Sequence, residues 1–273
     1  MLAVLCLAGG LLSASLVRFA PGYGVDEREL DPRLSQASVE AIRNSHRLNS
    51  NLFSYYGHYL ARTVRGDLGS SDWLQQPISS LIKERFPVTA KSVVFGVLLA
   101  WGMALAISLG SVLVRGLFFD ISGTLLSGLF IALPAAVVAI FSVYFHAPVF
   151  LAITVVTFPK LFRYLRNLLT HAYSQPYVLA AQARGIGQGR ILFRHVLPSV
   201  SPALFALLGV SLSLAFGAAI PIEALCDSPG VGQLAWQAAL NRDLPLITNL
   251  TLLITLITVA ANCLANVANE RAL

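Results

Sequence analysis

Long apolar runs alternate with short polar segments along this chain. A helix needs about 20 mostly apolar residues to cross roughly 30 Å of hydrocarbon. Each run keeps Asp and Glu away from its centre, as expected where a buried charge is costly. The pattern predicts an all-α polytopic membrane protein with six transmembrane helices. The predicted spans are Leu2–Phe19, Pro87–Val114, Leu117–Phe145, Pro148–Phe162, Ser199–Ile222 and Pro245–Val267.

The composition supports this interpretation. Of the 273 residues, 56% are hydrophobic and 12% are charged, and the mean hydropathy is +0.71. Soluble domains carry about 25% charged residues, so a soluble globule of this size would lack the charge to cover its surface. Disordered, collagen-like and coiled-coil chains are also excluded, because each needs a polar or strictly periodic composition.

The basic residues indicate how the chain crosses the membrane. The net charge is +6, which in a soluble chain would suggest nucleic acid as a partner. In a membrane protein the surplus is explained by cytoplasmic loops, which collect Lys and Arg. The segment between spans four and five has six basic residues and no acid: Lys160, Arg163, Arg166, Arg184, Arg190 and Arg194. This segment, Arg115 and both termini are therefore predicted to be cytoplasmic, and residues 20–86 to lie outside.

The N-terminal third allows two interpretations of its apolar run. Ser13-Ala14-Ser15 would suit a signal-peptide cleavage site, but no positive segment precedes the run, so we favour a retained helix. Residues 38–65 are predicted to form two helical pieces. His46 and His58 lack paired ligands at helical spacing and are interpreted as solvated. The three cysteines are scattered and frame neither a disulfide nor a metal site.

The segment from Tyr177 to Pro198 is the most informative. It predicts a short alanine-rich helix, a glycine break over 185–189, and a second short helix that ends before span five. Ala180, Ala181 and Ala183 would expose a nearly bare backbone to a partner protein. Gly185 can adopt the left-handed conformation that joins two helices at a sharp angle.

These residues resemble a known family. Ala180-Ala181-x3-Gly185, followed by Val196-Leu197-Pro198, is similar to the EAA loop of binding-protein-dependent ABC importer permeases. The wider resemblance is to the B-type permease of dipeptide, oligopeptide and nickel importers. It includes Arg65-Gly-Asp-Leu-Gly-Ser70, Pro77–Thr89, and the loop from Glu223 through Asp227-Ser-Pro-Gly-Val-Gly232 to Arg242-Asp243-Leu-Pro245. The sequence departs from the family pattern at Leu179, which replaces the EAA glutamate, and at His195.

The resemblance implies two groups of functional residues and an ABC type I permease architecture. The residues of the ATPase-coupling loop would be Leu179, Ala180, Ala181, Gly185, Arg190, Arg194, Leu197 and Pro198. The pathway or external-loop residues would be Glu223, Asp227, Pro229, Gly230 and Gly232. Residues 1–86 would hold the first helix and an extracytoplasmic helical segment, and residues 87–273 the permease domain, with the coupling loop over about 171–198.

Two residues carry alternative interpretations. Glu223 either lines the pathway and attracts a peptide amino group or ties the external loop by hydrogen bonds, and the second role is favoured. Pro134 is expected to kink span three rather than to gate it, because neighbouring helices can satisfy the freed carbonyl.

The resemblance also implies the partners and the activity. The chain would be half of a pathway for short peptides in the inner membrane of a bacterium. It would assemble with a C-type permease, two cytoplasmic ABC ATPases and an extracytoplasmic solute-binding protein, in contact with lipid and without nucleic acid. The sequence has no Gly-rich Lys-Ser/Thr phosphate loop. We therefore expect no enzymatic activity and no cofactor on this chain, with ATP and Mg²⁺ on the partners.

Several functions remain as alternatives at this point. A nickel importer or an exporter of the same family would share the architecture, although no cluster of soft metal ligands is visible. A secondary transporter should show inverted repeats and acidic residues at mid-membrane, and neither is found. A non-transporting, degenerate permease or scaffold would fail to recruit an ATPase.

Overall fold

The computed structural model describes residues 66–113 and 117–272, and the side chains of all of these except 117–120 and 266–272. Within this part the chain is helical, and its one β-bridge joins Ser70 to Pro77. The helices are α1 (Ile78–Leu113), α2 (Leu117–Ile131), α3 (Ala135–Tyr144), α4 (Val149–Tyr173), α5 (Pro176–Ala183), α6 (Gln188–Ile191), α7 (Leu197–Leu225), α8 (Val231–Leu240) and α9 (Leu244–Ala272).

The all-α prediction is confirmed, and within residues 66–113 and 117–272 three helices are long and apolar enough to cross a membrane. They are Ile78–Leu113, Gln188–Leu225 and Leu244–Ala265, and the bent pair Ile121–Ile131 and Ala135–Tyr144 gives a fourth if it counts as one span. The predicted first span, the helical pieces within 38–65, and His46 and His58 lie outside the described residues. The count of six spans therefore stays a prediction.

The predicted third span is wrong as one continuous helix. Its two halves, α2 and α3, meet at an angle of 98°. Pro134 is the N-cap of α3 with an extended backbone (φ −61°, ψ 146°). Proline has no N–H to continue the helical ladder, and it disfavours helical geometry in the residue before it. The result is a full break rather than the expected kink.

Two other spans differ from their predicted bounds. Helix α1 begins at Ile78, nine residues before the predicted start, and continues through Pro87. Helix α4 contains the predicted fourth span but runs on to Tyr173, for 25 residues in all. Its polar second half explains why hydropathy alone ended this span at Phe162.

The described chain divides into two compact units, one of residues 66–84 and 235–256, the other of residues 85–113, 117–234 and 257–272. In the larger unit α4 packs against α2, α3 and α7. Phe158 and Phe162 stack at 5.8 Å between ring centroids and are almost fully buried. Ala100 and Ala104 of α1 join this cluster, so small side chains on α1 face large ones on α4.

Candidate functional site

Helix α5 and the turn after it, through Ile186, are here called the α5 segment. The helix begins with proline at its first position, where the missing N–H costs nothing. It ends in a Schellman turn, in which the Ile186 N–H bonds the Ala181 carbonyl (3.2 Å) and the Gly185 N–H bonds the Gln182 carbonyl (2.9 Å). Gly185 has φ +74°, the left-handed conformation that a glycine adopts without strain. The predicted glycine turn is therefore present at Gly185.

One face of this segment is anchored in a core. Val178 is 0% exposed and Ala181 6%, and both belong to a cluster with residues from the end of α4 and the start of α7. Leu109, Val112 and Leu113 at the end of α1 pack against the same cluster, and so does Leu197. The segment is thus attached to the ends of three long helices by apolar contacts.

The opposite face of the segment is exposed. Leu179 is 56% exposed, and Ala180 and Ala183 are exposed as well. On the helix that follows the segment, Phe193 is 72% exposed. The prediction that Ala181 lies on this face is wrong, because positions 178 and 181 are one helical turn apart and both point into the core. The alanine surface offered to a partner is formed by positions 180 and 183.

The second short helix expected before span five is not a separate element. Helix α6 continues through a π-helical turn, Leu192–Val196, directly into α7, and the three together form one helix over Gln188–Leu225. Pro198 removes the N–H that would bond the carbonyl four residues earlier, and a wider turn accommodates this loss. Pro198 is exposed within the helix, and so are Arg190 and Arg194. No hydrogen bond or ion pair from the described part of the chain reaches either guanidinium.

The loop after α7 is organised around a buried carboxylate. Glu223 is 0% exposed, and its Oε2 accepts hydrogen bonds from the Thr89 hydroxyl (3.0 Å) and the Gly232 N–H (2.7 Å). The Thr89 hydroxyl in turn accepts from the Val231 N–H at 2.7 Å. Glu223 therefore joins the end of α7 to the start of α8 and to α1. The other carboxylate oxygen, Oε1, is buried and has no hydrogen-bond partner among the described residues.

The glycines of this loop make room for that carboxylate. A Cβ on Gly230 would strike the Glu223 carboxylate and the Thr89 hydroxyl, and one on Gly232 would lie 2.8 Å from both the Ala219 carbonyl and Glu223 Oε2. Both glycines are buried, and Pro229 before them is exposed.

A second polar chain runs beside Glu223. Asp227 follows α7 in a left-handed conformation (φ +50°), and its carboxylate accepts from Gln233 Nε2 at 2.5 Å. Gln233 Oε1 accepts from Arg85 Nη1 at 3.2 Å. The structure therefore brings Glu223, Asp227, Gly230 and Gly232 together. Neither Thr89 nor Arg85 was expected in this network, although both belong to the Pro77–Thr89 motif, because that motif does not indicate which residues its side chains contact.

A third constellation was missed from the sequence. Asp243 is 1% exposed, and its Oδ2 accepts from the Ser71 hydroxyl (2.5 Å) and the Trp73 N–H (3.1 Å). Its Oδ1 caps α9 by accepting from the Leu246 N–H at 3.0 Å. Asp followed two residues later by Pro is a helix-start signal, so the cap could have been found, but its partner Ser71 could not.

The described residues show no group of three or more His, Cys, Asp or Glu side chains that could hold a metal ion. The site chemistry in this part of the chain is therefore that of hydrogen bonds, buried apolar contacts and exposed cations.

Comparisons with known proteins identify the family to which this chain is similar. Residues 81–271 match the model of the binding-protein-dependent transport system inner membrane component family. A Brucella suis protein named as a peptide permease is 28% identical over 96% of this chain and 92% of its own length. The oligopeptide transport system permease protein AppB of Bacillus subtilis is 26% identical, over 94% and 90%. OppB of Haemophilus influenzae, also named an oligopeptide permease, is 25% identical, over 92% and 88%.

The matched region contains helices α2 to α9 and most of α1, together with the α5 segment and the Glu223 network. Since the family match covers well over half of the chain and agrees with its apolar helices, the resemblance found in the sequence is confirmed. The chain belongs to the inner membrane components of binding-protein-dependent transport systems, as an ABC transporter permease.

Proposed function

We propose that this chain is the permease subunit of a bacterial inner-membrane ABC importer for short peptides and forms half of the translocation pathway. Its partners would be a C-type permease, two ABC ATPases that bind ATP and Mg²⁺, and an extracytoplasmic solute-binding protein. The observation that carries the proposal is the α5 segment, which is anchored in the core on one face and exposed on the other.

The buried face of the α5 segment would allow it to transmit a displacement to the long helices. A force applied to α5 would reach α1, α4 and α7 together, because Val178 and Ala181 pack in one cluster with the ends of those helices. A closely packed core transmits such a displacement rather than absorbing it. ATP binding would then bias the permease through the different contacts that ATP-bound and ATP-free ATPases make with this segment.

The exposed face suits a protein partner. Leu179 on α5 offers an exposed apolar side chain, and the helix that follows offers exposed Phe193 together with the cations Arg190 and Arg194. Exposed apolar residues next to arginine are typical of protein interfaces. We therefore assign the coupling role to Leu179, Ala180, Gly185, Arg190, Arg194 and Pro198, with Ala181 and Leu197 as anchors on the buried side.

The peptide cargo is inferred from the relatives. AppB and OppB are named oligopeptide permeases, and each aligns with more than nine tenths of this chain. In this assembly Glu223, Asp227, Pro229, Gly230 and Gly232 would shape the extracytoplasmic loop, with Glu223 as its internal tie.

The decisive experiment co-expresses the chain with the permease, ATPase and binding-protein genes next to it and measures ATPase recovery in mild detergent. Gly185→Pro should abolish recovery, because proline cannot adopt φ +74° and lacks the N–H that bonds Gln182. Gly189→Ala is the matched control, since a Cβ there meets nothing within 4 Å. Uptake of a labelled tripeptide by intact cells should follow the same order.

Two outcomes would overturn the proposal. If the wild-type complex recruits no ATPase in gentle detergent, the chain is a scaffold rather than a permease subunit. If it recruits the ATPase but cells accumulate no tripeptide with ATP present, the peptide-import assignment is wrong. Equal ATPase recovery by the two variants would remove the coupling role from the α5 turn.

A further inference from the structure

Helix α4 exposes a polar and cationic face where its neighbours are apolar. Its exposed side carries Lys160, Arg163, Tyr164 and Asn167, which recur at helical spacing and are here called the α4 polar face. Its other side, including Leu161 and Leu165, is buried in the core. In the described part of the chain, no apolar residues cover the α4 polar face.

The depth of this face in the membrane follows from the packing of α4 on α1. The Thr154 hydroxyl donates to the Gly96 carbonyl at 3.1 Å, and a Cβ on Gly96 would lie 2.9 Å from Ile153. Further along the same pair of helices, Ala100 and Ala104 of α1 cluster with residues 158–165 of α4. The two helices thus run side by side in the same direction, and Lys160 lies level with Met103.

Met103 lies midway along the run of uncharged sequence between Lys91 and Arg115, most of which belongs to α1. If this stretch spans the hydrocarbon, Lys160 lies near mid-depth and Arg163 and Arg166 lie within two turns of it. Headgroups are then about 15 Å away, farther than a lysine or arginine side chain reaches. Charged side chains at such depth face a bundle interior or a water-filled cavity. The assignment of Lys160, Arg163 and Arg166 to the cytoplasmic segment is then not kept, and the predicted orientation rests on Arg184, Arg190 and Arg194.

Arg163 is held in a fixed position on this face. Its Nε donates to the hydroxyl of Ser127 on α2 at 3.4 Å, and Ser127 is 0% exposed. The guanidinium lies beside α2 at Gly128, where a Cβ would make only an ordinary contact of 4.0 Å with Nη2. No described carboxylate pairs with Arg163. Its two terminal nitrogens are therefore available to a ligand in the fork geometry that matches a carboxylate.

We propose that the α4 polar face lines the water-filled pathway and that Arg163 binds the carboxylate of the peptide in transit. This inference rests on the proposed function and adds the group on the cargo that the pathway recognises. A short peptide always carries a C-terminal carboxylate, and the α4 polar face has two cations and no acid. The phenol of Tyr164 and the amide of Asn167 supply neutral hydrogen-bonding groups beside them.

The test uses the full transporter with Cys6, Cys226 and Cys263 replaced by Ser. Cysteines are introduced at Tyr164 and Asn167 on the face, and at Leu208 as the control. Leu208 is 45% exposed and apolar. It lies at similar depth, one turn from Ser211, whose hydroxyl bonds Trp101. An anionic sulfonate and a cationic trimethylammonium methanethiosulfonate are applied to spheroplasts and to inverted vesicles.

We expect both face cysteines to react from at least one side of the membrane and Leu208→Cys to stay unmodified in lipid. With each rate divided by the rate of the same reagent with a free thiol in solution, the anionic reagent should be favoured by about tenfold, because fixed cations concentrate anions in a narrow cleft. Arg163→Gln should reduce this preference, and Arg163→Lys should retain most of it.

A second experiment asks whether a bound peptide protects the introduced cysteine from modification. Millimolar trialanine should slow modification of Asn167→Cys, whereas trialanine amide, which lacks the carboxylate, should not. Protection should disappear in Arg163→Gln and return only in part in Arg163→Lys, whose single ammonium keeps the charge but not the fork. Tripeptide uptake by cells reports the proposed function separately, so the two can fail independently.

Three results would overturn the inference. Unreactive face cysteines in a complex that imports tripeptide would mean that lipid or the second permease covers the face. Equal protection by trialanine and its amide would remove carboxylate recognition. Protection unchanged by Arg163→Gln would remove Arg163 from the site.

Discussion

The carboxylate of Asp243 accepts a hydrogen bond from the Ser71 hydroxyl at 2.5 Å, although the two residues are 172 positions apart. In the sequence, Ser71 directly follows the Arg65–Ser70 motif, and Asp243 belongs to the Arg242–Pro245 motif. The Asn249 amide adds a second bond of 3.0 Å to the Leu68 carbonyl in the same region. Two separate sequence motifs are thus parts of one hydrogen-bonded unit at the start of α9.

Replacing either member of this pair should destabilise the protein. Asp243→Ala removes the acceptor for Ser71, Trp73 and the first turn of α9, and should lower the free energy of unfolding by about 3 kcal/mol. Ser71→Ala leaves a buried carboxylate with one partner fewer and should cost about 1–2 kcal/mol. The measurement is the midpoint of thermal unfolding in detergent, followed by tryptophan fluorescence.

The control for this pair is Ser79→Ala, at an exposed position on the first turn of α1. It should change stability by no more than about 0.5 kcal/mol. A Ser71→Ala midpoint equal to that of the control would mean that the Ser71–Asp243 bond adds nothing to stability.

Two glycine substitutions should have opposite effects. Gly230→Ala would force a methyl group into the Glu223 carboxylate and the Thr89 hydroxyl, so we expect a loss of about 2 kcal/mol or more. Gly217→Ala, within α7, meets nothing within 4 Å and should be neutral or stabilising by up to about 1 kcal/mol. Thermal midpoints of the two purified variants give the comparison. Tolerance of Gly230→Ala would show that the loop relaxes around Glu223 without cost.

The sequence predicted the membrane helices better than it predicted their breaks. A hydropathy pattern reports how apolar a segment is, so α7 and α9 were found near their observed bounds. It does not report whether the backbone is continuous, and it therefore joined α2 to α3 across Pro134 and separated α6 from α7. At Pro134 the proline interrupts the helix. At Pro198 the π-helical turn Leu192–Val196 lets the helix continue past the proline.

Local motifs predicted the α5 turn because all of its determinants are close in sequence. Gly185 lies within five residues of the Ala181 and Gln182 carbonyls, which accept the two hydrogen bonds of the turn. The local sequence was therefore enough to predict the turn. The Glu223 and Asp243 networks were not predictable in this way. Each needs a partner from α1 or the segment before it, more than 130 positions away, and such a pairing is determined by packing rather than by spacing.

The direction in which the chain crosses the membrane can be tested at Gly187. This residue is exposed between α5 and α6, and a Cβ there meets nothing within 4 Å, so Gly187→Cys should be tolerated. In a background without Cys6, Cys226 and Cys263, an impermeant maleimide should label it in inverted vesicles and not in intact cells. Labelling from outside intact cells would invert the predicted topology and separate α5 from any cytoplasmic ATPase.

The hydrogen bond between Trp101 of α1 and Ser211 of α7 offers an optical test of the core. The indole Nε1 donates to the Ser211 hydroxyl at 3.0 Å, and Ser211 is 2% exposed. Ser211→Ala leaves the indole N–H without this acceptor and should cost about 0.6–1 kcal/mol, the usual range for such bonds inside membrane proteins. With Trp73 and Trp236 replaced by Phe, the emission of Trp101 should shift to shorter wavelength, because a hydrogen-bonded indole emits at lower energy. Ser213→Ala is the control on the same helix, since that hydroxyl bonds Asn262 and Gly209 rather than the indole. An identical emission maximum in the Ser211→Ala variant would mean that α1 and α7 are not joined through these two side chains.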